Sequence, residues 1–228
     1  MKNLSFRWPS QTEDTLKIDA LSVQPKEHIF IKGASGSGKS TLLSLIAGIN
    51  LVSQGELNVL GKSLSEMSSF QRDQFRANHL GIIFQQFNLL SYLSVQDNIT
   101  LPSWFSRKRG QAINEKQAMV QLLLEKLDLP KKIATQPVSE LSTGQQQRVA
   151  VARALIGSPE IIIADEPTSS LDTDNRDRFL QLLFEQADTN NSSLVFVSHD
   201  SAIASHFDKQ IDLASINHAD HEFGRGAL

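Results

Sequence analysis

Short, uninterrupted apolar runs alternate along the chain with segments whose apolar residues recur three to four positions apart. His28 to Lys32 (HIFIK) is short, β-branched and apolar on both faces, and predicts a buried strand. Gly55–Leu60, Leu80–Phe84 (LGIIF), Glu160–Ala164 (EIIIA) and Ser193–Ser198 (SLVFVS) predict further strands. Helical spacing runs through Thr41–Ile49 and through Val120–Leu129, where Pro130 ends it. It returns on one face at Val149, Ala152, Leu155 and Ile156, and again around Arg176–Gln186. Strands that do not alternate belong to a mainly parallel sheet covered on both faces, so the expected class is α/β. A helix-rich block from about Phe87 to Pro159 separates the two strand-bearing ends and reads as an insertion. The tail from Asn217 (NHADHEFGRGAL) is polar and is expected to be loosely held.

Composition narrows the classes. The formal net charge of -3 leaves no basic footprint for nucleic acid. The basic run Arg107-Lys108-Arg109 is too short to change that and is expected to be a solvated loop. The absence of cysteine excludes disulfides and thiolate metal sites. The N-terminal stretch MKNLSFRWPSQTED has no apolar core of the signal-peptide kind. No uncharged apolar run approaches the roughly 18–20 residues that span a bilayer. A soluble chain is expected, with membrane contact only through a partner.

Three stretches carry chemistry. Gly33-Ala34-Ser35-Gly36-Ser37-Gly38-Lys39-Ser40 fits the pattern G-x-x-x-x-G-K-S/T, after a predicted strand and at the start of a predicted helix. The glycines let consecutive N–H groups converge on an anion, and the helix N-terminus adds positive potential. Lys39 would reach the β- and γ-phosphates, and Ser40 would hold Mg²⁺. In Ile161-Ile162-Ile163-Ala164-Asp165-Glu166, two acids close a buried strand, where α/β sheets place ligands. Asp165 is suited to the Mg²⁺ shell and Glu166 to polarising an attacking water. Leu141-Ser142-Thr143-Gly144-Gln145 opens a helix and reads as a second anion site without a lysine. Two half-sites in one chain are used economically when two copies face each other across ATP.

These stretches resemble the nucleotide-binding subunits of ABC transporters, and the resemblance covers nearly the whole chain. GASGSGKS resembles Walker A and IIIADE resembles Walker B. Gln85, after LGIIF, matches the Q-loop glutamine, and LSTGQ the signature. Ser169-Ser170-Leu171-Asp172 resembles the D-loop, and His199 in VFVSHD the switch histidine. The resemblance implies a P-loop (RecA-like) core from 1–86 and 158–228, with an antiparallel β edge region. It also implies a helical subdomain from 87–157 that carries the signature.

It further implies nucleotide contacts along Gly33–Thr41 and roles for other positions. Gln85 would touch the Mg²⁺ and water site, and His199 the γ-phosphate. Asp172 would lie across a dimer, and Ser142, Gly144 and Gln145 would meet the partner's ATP. Trp8, in FRWP, takes the place of the aromatic residue that stacks on adenine. The usual LSGGQ has glycine where this chain has Thr143; that N–H survives, so an intact if slower site is expected.

The implied partners are a second copy, closing on Mg-ATP, and a separate integral permease at the inner face of the plasma membrane. Within QQFNLLSYLSVQDNITLP, residues 85–102, the resemblance implies part of the groove that receives the permease. That stretch looks most like the lipoprotein-release, macrolide-export and cell-division branch. The alternatives are the ATPase of a solute importer, a soluble ABC ATPase acting on DNA or ribosomes, and a regulator without turnover. Ser198-His199-Asp200 is no hydrolase triad, because triad members converge from separate segments. The pair His218 and His221 is expected to be a solvated tail, and His28 structural.

Overall fold

The computed structural model describes residues 1–113, 115–169 and 171–219. In chain order the strands are β1 (Lys2–Phe6), β2 (Leu16–Ala20), β3 (His28–Lys32), β4 (Gln54–Glu56), β5 (Asn58–Val59), β6 (Lys62–Ser63), β7 (Leu80–Ile83), β8 (Ile161–Asp165), β9 (Ser193–Ser198) and β10 (Lys209–Asp212). The helices are α1 (Lys39–Ile46), α2 (Ser69–His79), α3 (Val95–Phe105), α4 (Arg107–Gln111), α5 (Lys116–Lys126), α6 (Thr143–Leu155), α7 (Thr173–Thr189) and α8 (Leu213–Ile216).

The centre is a parallel sheet in the order β10-β3-β9-β8-β7. Its strands are the continuous apolar runs, and every residue of β9 is buried. An antiparallel sheet, β2-β1-β4, forms a separate layer, and β5 and β6 make a small hairpin. The expected strand over Gly55–Leu60 is therefore split. Leu57 is buried between two short pieces that serve different sheets, so packing on two sides overrides a continuous ladder.

Two hydrophobic clusters share the sheet. One runs from Phe30, Ile83 and Phe196 into the helical residues Ile99, Leu124 and Val149. The other joins Ile29, Ile31 and Val197 to α1 and to Leu4, Leu16 and Ile18 of the antiparallel layer. His28 is buried at the start of β3 and stacks on Phe184 at 5.3 Å.

A further expectation is corrected. Arg107-Lys108-Arg109 is no solvated loop: it forms α4, and Arg109 is only 2% exposed. Its guanidinium donates to the carbonyls of Ile156, Leu80 and Ala154, so the charge is used to join three backbone segments. Of the tail expected to be loosely held, only residues 217–219 lie within the described residues, and its start is anchored. Asn217 accepts from the Lys17 N–H at 2.8 Å and donates to the Thr15 carbonyl at 3.1 Å. His218 lies 3.6 Å from Asp19, and His221 lies outside the described residues. Among the described residues, no helix is long and apolar enough to cross a membrane.

Candidate nucleotide site

The sheet order brings the chemistry together. β3, β9 and β8 are neighbours with β7 beyond them, so their C-terminal ends converge. From those ends come Gly33–Ser40, His199, Asp165 with Glu166, and Gln85, where an open parallel sheet binds its ligand. The resulting cleft, about 620 Å³, is lined by Trp8, Gln11, Thr15, Ser35, Gly36, Gly38, Lys39, Ser40, Thr41, Gln85, Asp165, Glu166 and His199.

The loop before α1 is shaped by conformations that favour glycine. Gly36 and Gly38 have φ of 78° and 95°, and Gly38 caps α1. A Cβ on Gly38 would fall 2.8 Å from Leu16 Cδ2, and one on Gly33 2.4 Å from Ser37 Oγ. Lys39 Nζ donates to the carbonyls of Gly33 (2.9 Å) and Ala34 (2.8 Å) and lies 3.2 Å from Glu166 Oε1. These two carbonyls fold the lysine back along its own loop. The Ser37 hydroxyl is buried without a hydrogen-bond partner in that loop, a donor that suits a phosphate oxygen.

Glu166 sits in left-handed backbone, φ 44°, a strained conformation of the kind that concentrates at functional sites. Its N–H is tied to the Val197 carbonyl at 2.9 Å. Its carboxylate lies between Lys39 and His199, whose Nδ1 is 2.9 Å from Oε2. Beside it, Ser40 Oγ donates to Asp165 Oδ2 at 3.0 Å. Burial raises the Asp165 pKa; the Ser40 hydrogen bond opposes this, the Glu166 charge adds to it, and Lys39 opposes it. Ser40, Asp165 and Gln85 offer hard oxygen donors in one cleft, the set that suits Mg²⁺. Among the described residues no cluster of three or more His, Cys, Asp or Glu forms a metal cage. A cation here would complete its shell with phosphate and water, the habit of Mg²⁺.

Trp8 is 36% exposed at the rim and meets Phe6 edge-to-face at 5.1 Å, leaving a ring face for a base. Its loop is pinned by Gln11 N–H to the Trp8 carbonyl (2.9 Å) and Thr15 N–H to the Phe6 carbonyl (2.8 Å).

The signature stretch is elsewhere. Ser142 is the N-cap of α6 in a capping box: its Oγ accepts from the Gln145 N–H, and Gln145 Oε1 accepts from the Ser142 N–H. Local helix capping therefore explains the Ser and Gln at this spacing. Gly144 has open space around it. These residues line a second cleft, about 570 Å³, with Asp172, the N-cap of α7. Hydrogen bonds from Asn175 hold the Asp172 carboxyl below the usual carboxylate range. The two clefts share no lining residue.

The ABC transporter family profile matches residues 16–169. The chain belongs to the ABC transporter family. This ABC cassette is an ATPase of the family's ATP-binding kind. It is 44% identical over 196 residues to a lipoprotein-releasing system ATP-binding protein, LolD, of Buchnera aphidicola, covering 86% of this chain and 84% of that one. It is 37% identical over 211 residues to a macrolide export ATP-binding/permease protein, MacB, of Mannheimia succiniciproducens, covering 92% of this chain but 32% of that longer protein. Among solved structures, the dimeric, post-hydrolysis ATP-binding cassette MJ0796 with ADP and Pi superposes with a TM-score of 0.81. The two share 30% identity, and the match covers 98% of each chain.

Gln11 and Thr15 of the cleft, and Gln147 and Arg153 of α6, were not singled out from the sequence. The signal for the last two was available. Both are polar residues within a predicted helix, and they are only 2% and 8% exposed.

Proposed function

We propose that the cassette is the ATP-hydrolysing subunit of an exporter of the lipoprotein-release and macrolide-export type. Two copies close on two ATP molecules and drive a separate permease from the cytoplasmic face of the membrane. The relatives LolD and MacB support the branch, and MacB carries ATP-binding and permease functions in one name. Trp8 stacks on the adenine, and the Gly33–Thr41 loop cradles the phosphates. Ser142, Gly144, Gln145 and Asp172 of the second copy complete each site. The observation that carries this is the separation of the two clefts: signature residues of one chain do not line that chain's own Lys39 cleft.

Mg²⁺, held by Ser40, Asp165 and Gln85, would supply charge neutralisation at the β- and γ-phosphates. Lys39 turns from Glu166 to the γ-phosphate, which frees the carboxylate. Glu166 then orients water and accepts its proton as the water oxygen bonds to the γ-phosphorus. The bridging P–O bond breaks and ADP leaves. His199, 2.9 Å from Glu166, holds the γ-phosphate side of the site. The exposed aromatic residues Tyr92, Trp104 and Phe105, at 78%, 54% and 64% exposure, suit the permease contact expected near 85–102.

Glu166→Gln tests the reading. It keeps the shape and removes the base, so size exclusion with Mg-ATP should show a stable dimer while phosphate release falls by about 100-fold or more. A variant that turns over like wild type refutes the role of Glu166; one that stays monomeric with ATP refutes the paired sites.

A further inference from the structure

Helix α6 begins in the signature cleft and is hydrogen-bonded to both loops that carry the chemistry of the other cleft. Gln147 Nε2 donates to the Pro167 carbonyl at 2.7 Å, one residue beyond Glu166. Arg153, about 9 Å further along the helix axis, donates through Nη1 to the Asn88 carbonyl at 2.6 Å and through Nη2 to the Phe87 carbonyl. Phe87 closes the turn that carries Gln85: its N–H donates to the Phe84 carbonyl at 2.9 Å. Phe87 and Asn88 both lie in left-handed backbone, φ 59° and 47°, a conformation costly for side-chain-bearing residues. The two arginine contacts hold that turn exit.

The setting argues against incidental contacts. Gln147 and Arg153 are nearly sealed from solvent. Burial pulls the Arg153 pKa down to about 10, so the group stays charged at neutral pH while it donates to neutral carbonyls. Gln147 also lines the signature cleft itself. One rigid helix thus has its first turn in one cleft and two side-chain ties to the catalytic loops of the other.

We propose that Gln147 and Arg153 are positioning residues that make α6 a strut between the two clefts. A change at the signature end shifts the Glu166 and Gln85 loops together. This rests on the paired-site reading above. In the closed pair, the signature end of a chain meets one ATP while its strut ends beside the other, so the strut couples the two hydrolysis events.

The test is steady-state ATP hydrolysis by the full-length chain against Mg-ATP concentration. It is accompanied by binding of a fluorescent ATP analogue at protein concentrations that keep the chain monomeric. Wild type should give a Hill coefficient approaching about 2, the number of sites. Gln147→Met removes the donor and keeps the shape. Arg153→Lys keeps the charge but cannot span two carbonyls. Each should lower the Hill coefficient toward about 1 and reduce kcat roughly 2- to 30-fold, the range for changes along a coupled network. Monomer affinity for the analogue should stay unchanged. Arg153→Lys should retain more activity than Arg153→Met.

Cooperative wild type with equally cooperative variants overturns the strut and leaves the paired sites standing. A loss of monomer affinity in parallel with kcat also overturns it, because that is simple unfolding of the cleft. Non-cooperative hydrolysis by the wild-type chain overturns the paired sites and the strut together.

Discussion

Arg109→Met should cost the fold several kilocalories although it touches no candidate ligand residue. Helix α6 ends at Leu155, and the carbonyls of its last turn have no partner within the helix. Arg109 Nη2 donates to the Ala154 carbonyl at 2.7 Å and Nε to the Ile156 carbonyl at 2.6 Å, so α4 caps α6 from outside. Nη1 adds the Leu80 carbonyl, at 3.1 Å, where β7 begins. Hydrogen bonds from a charged donor are worth about 1.5–3 kcal/mol each. Against them stands the burial of the charge, which lowers the Arg109 pKa from the ordinary guanidinium value to about 10. That opposing cost is roughly 3 kcal/mol at 1.36 kcal/mol per pKa unit. The balance is a net contribution of about 1–6 kcal/mol, centred near 3. Methionine preserves the stem and loses all three bonds. For a chain of this size a loss of about 3 kcal/mol lowers Tm by about 6–12 °C. Thermal denaturation by circular dichroism measures it directly. Arg109→Lys, which keeps the charge and one bond, should melt between the two. If Arg109→Met melts within about 2 °C of wild type, or Arg109→Lys melts below it, the cap is not what holds this junction.

Other expectations follow from the cleft. Trp8→Ala should weaken ATP-analogue binding by about 5- to 150-fold, the equivalent of one aromatic–base stack at roughly 1–3 kcal/mol. Trp8→Tyr should restore it, and equal affinity in all three chains would remove Trp8 from the base site. Asp165 is a half-buried acid with a raised pKa, so the fold holds its proton more tightly than the unfolded chain does. Its contribution to stability is present at low pH and is lost as pH rises through the folded pKa. Asp165→Asn should therefore melt a few degrees above wild type at neutral pH, on the order of 0.5–2 kcal/mol. The gap should close as pH falls through the carboxylate range, while Mg-ATP hydrolysis is lost. A gap that widens on acidification would reverse the sign of the argument.

The parts legible in the sequence are those where one local rule decides. Buried parallel strands must be apolar on both faces, so HIFIK and SLVFVS announced themselves, and both were predicted with the bounds the structure has. The phosphate loop was legible because its glycines have few substitutes: a Cβ at Gly33 or Gly38 collides with neighbours. The roles of the gathered residues remain as proposed, but their gathering follows from strand order, which periodicity does not encode.

What was hidden depends on partners far away in sequence. β1 and β2 are amphipathic and short; they pair with each other across a loop, and β1 pairs with β4 some fifty positions on, so no local pattern marks them. Arg109 looked like a solvated charge because its acceptors are carbonyls of Leu80, Ala154 and Ile156, and every residue has a carbonyl. Gln147 and Arg153 were hidden for the same reason, since their acceptors are carbonyls of Pro167, Phe87 and Asn88. Gly81 shows the converse: a Cβ there would fall 2.3 Å from the Ala154 carbonyl oxygen, so that glycine exists for a helix that starts sixty residues later. In this fold the residues read from sequence cluster at two clefts, Lys39, Asp165 and His199 at one and Ser142, Gln145 and Asp172 at the other. Those that bind helix α6 to the sheet are read only once the backbone carbonyls they seek have been placed.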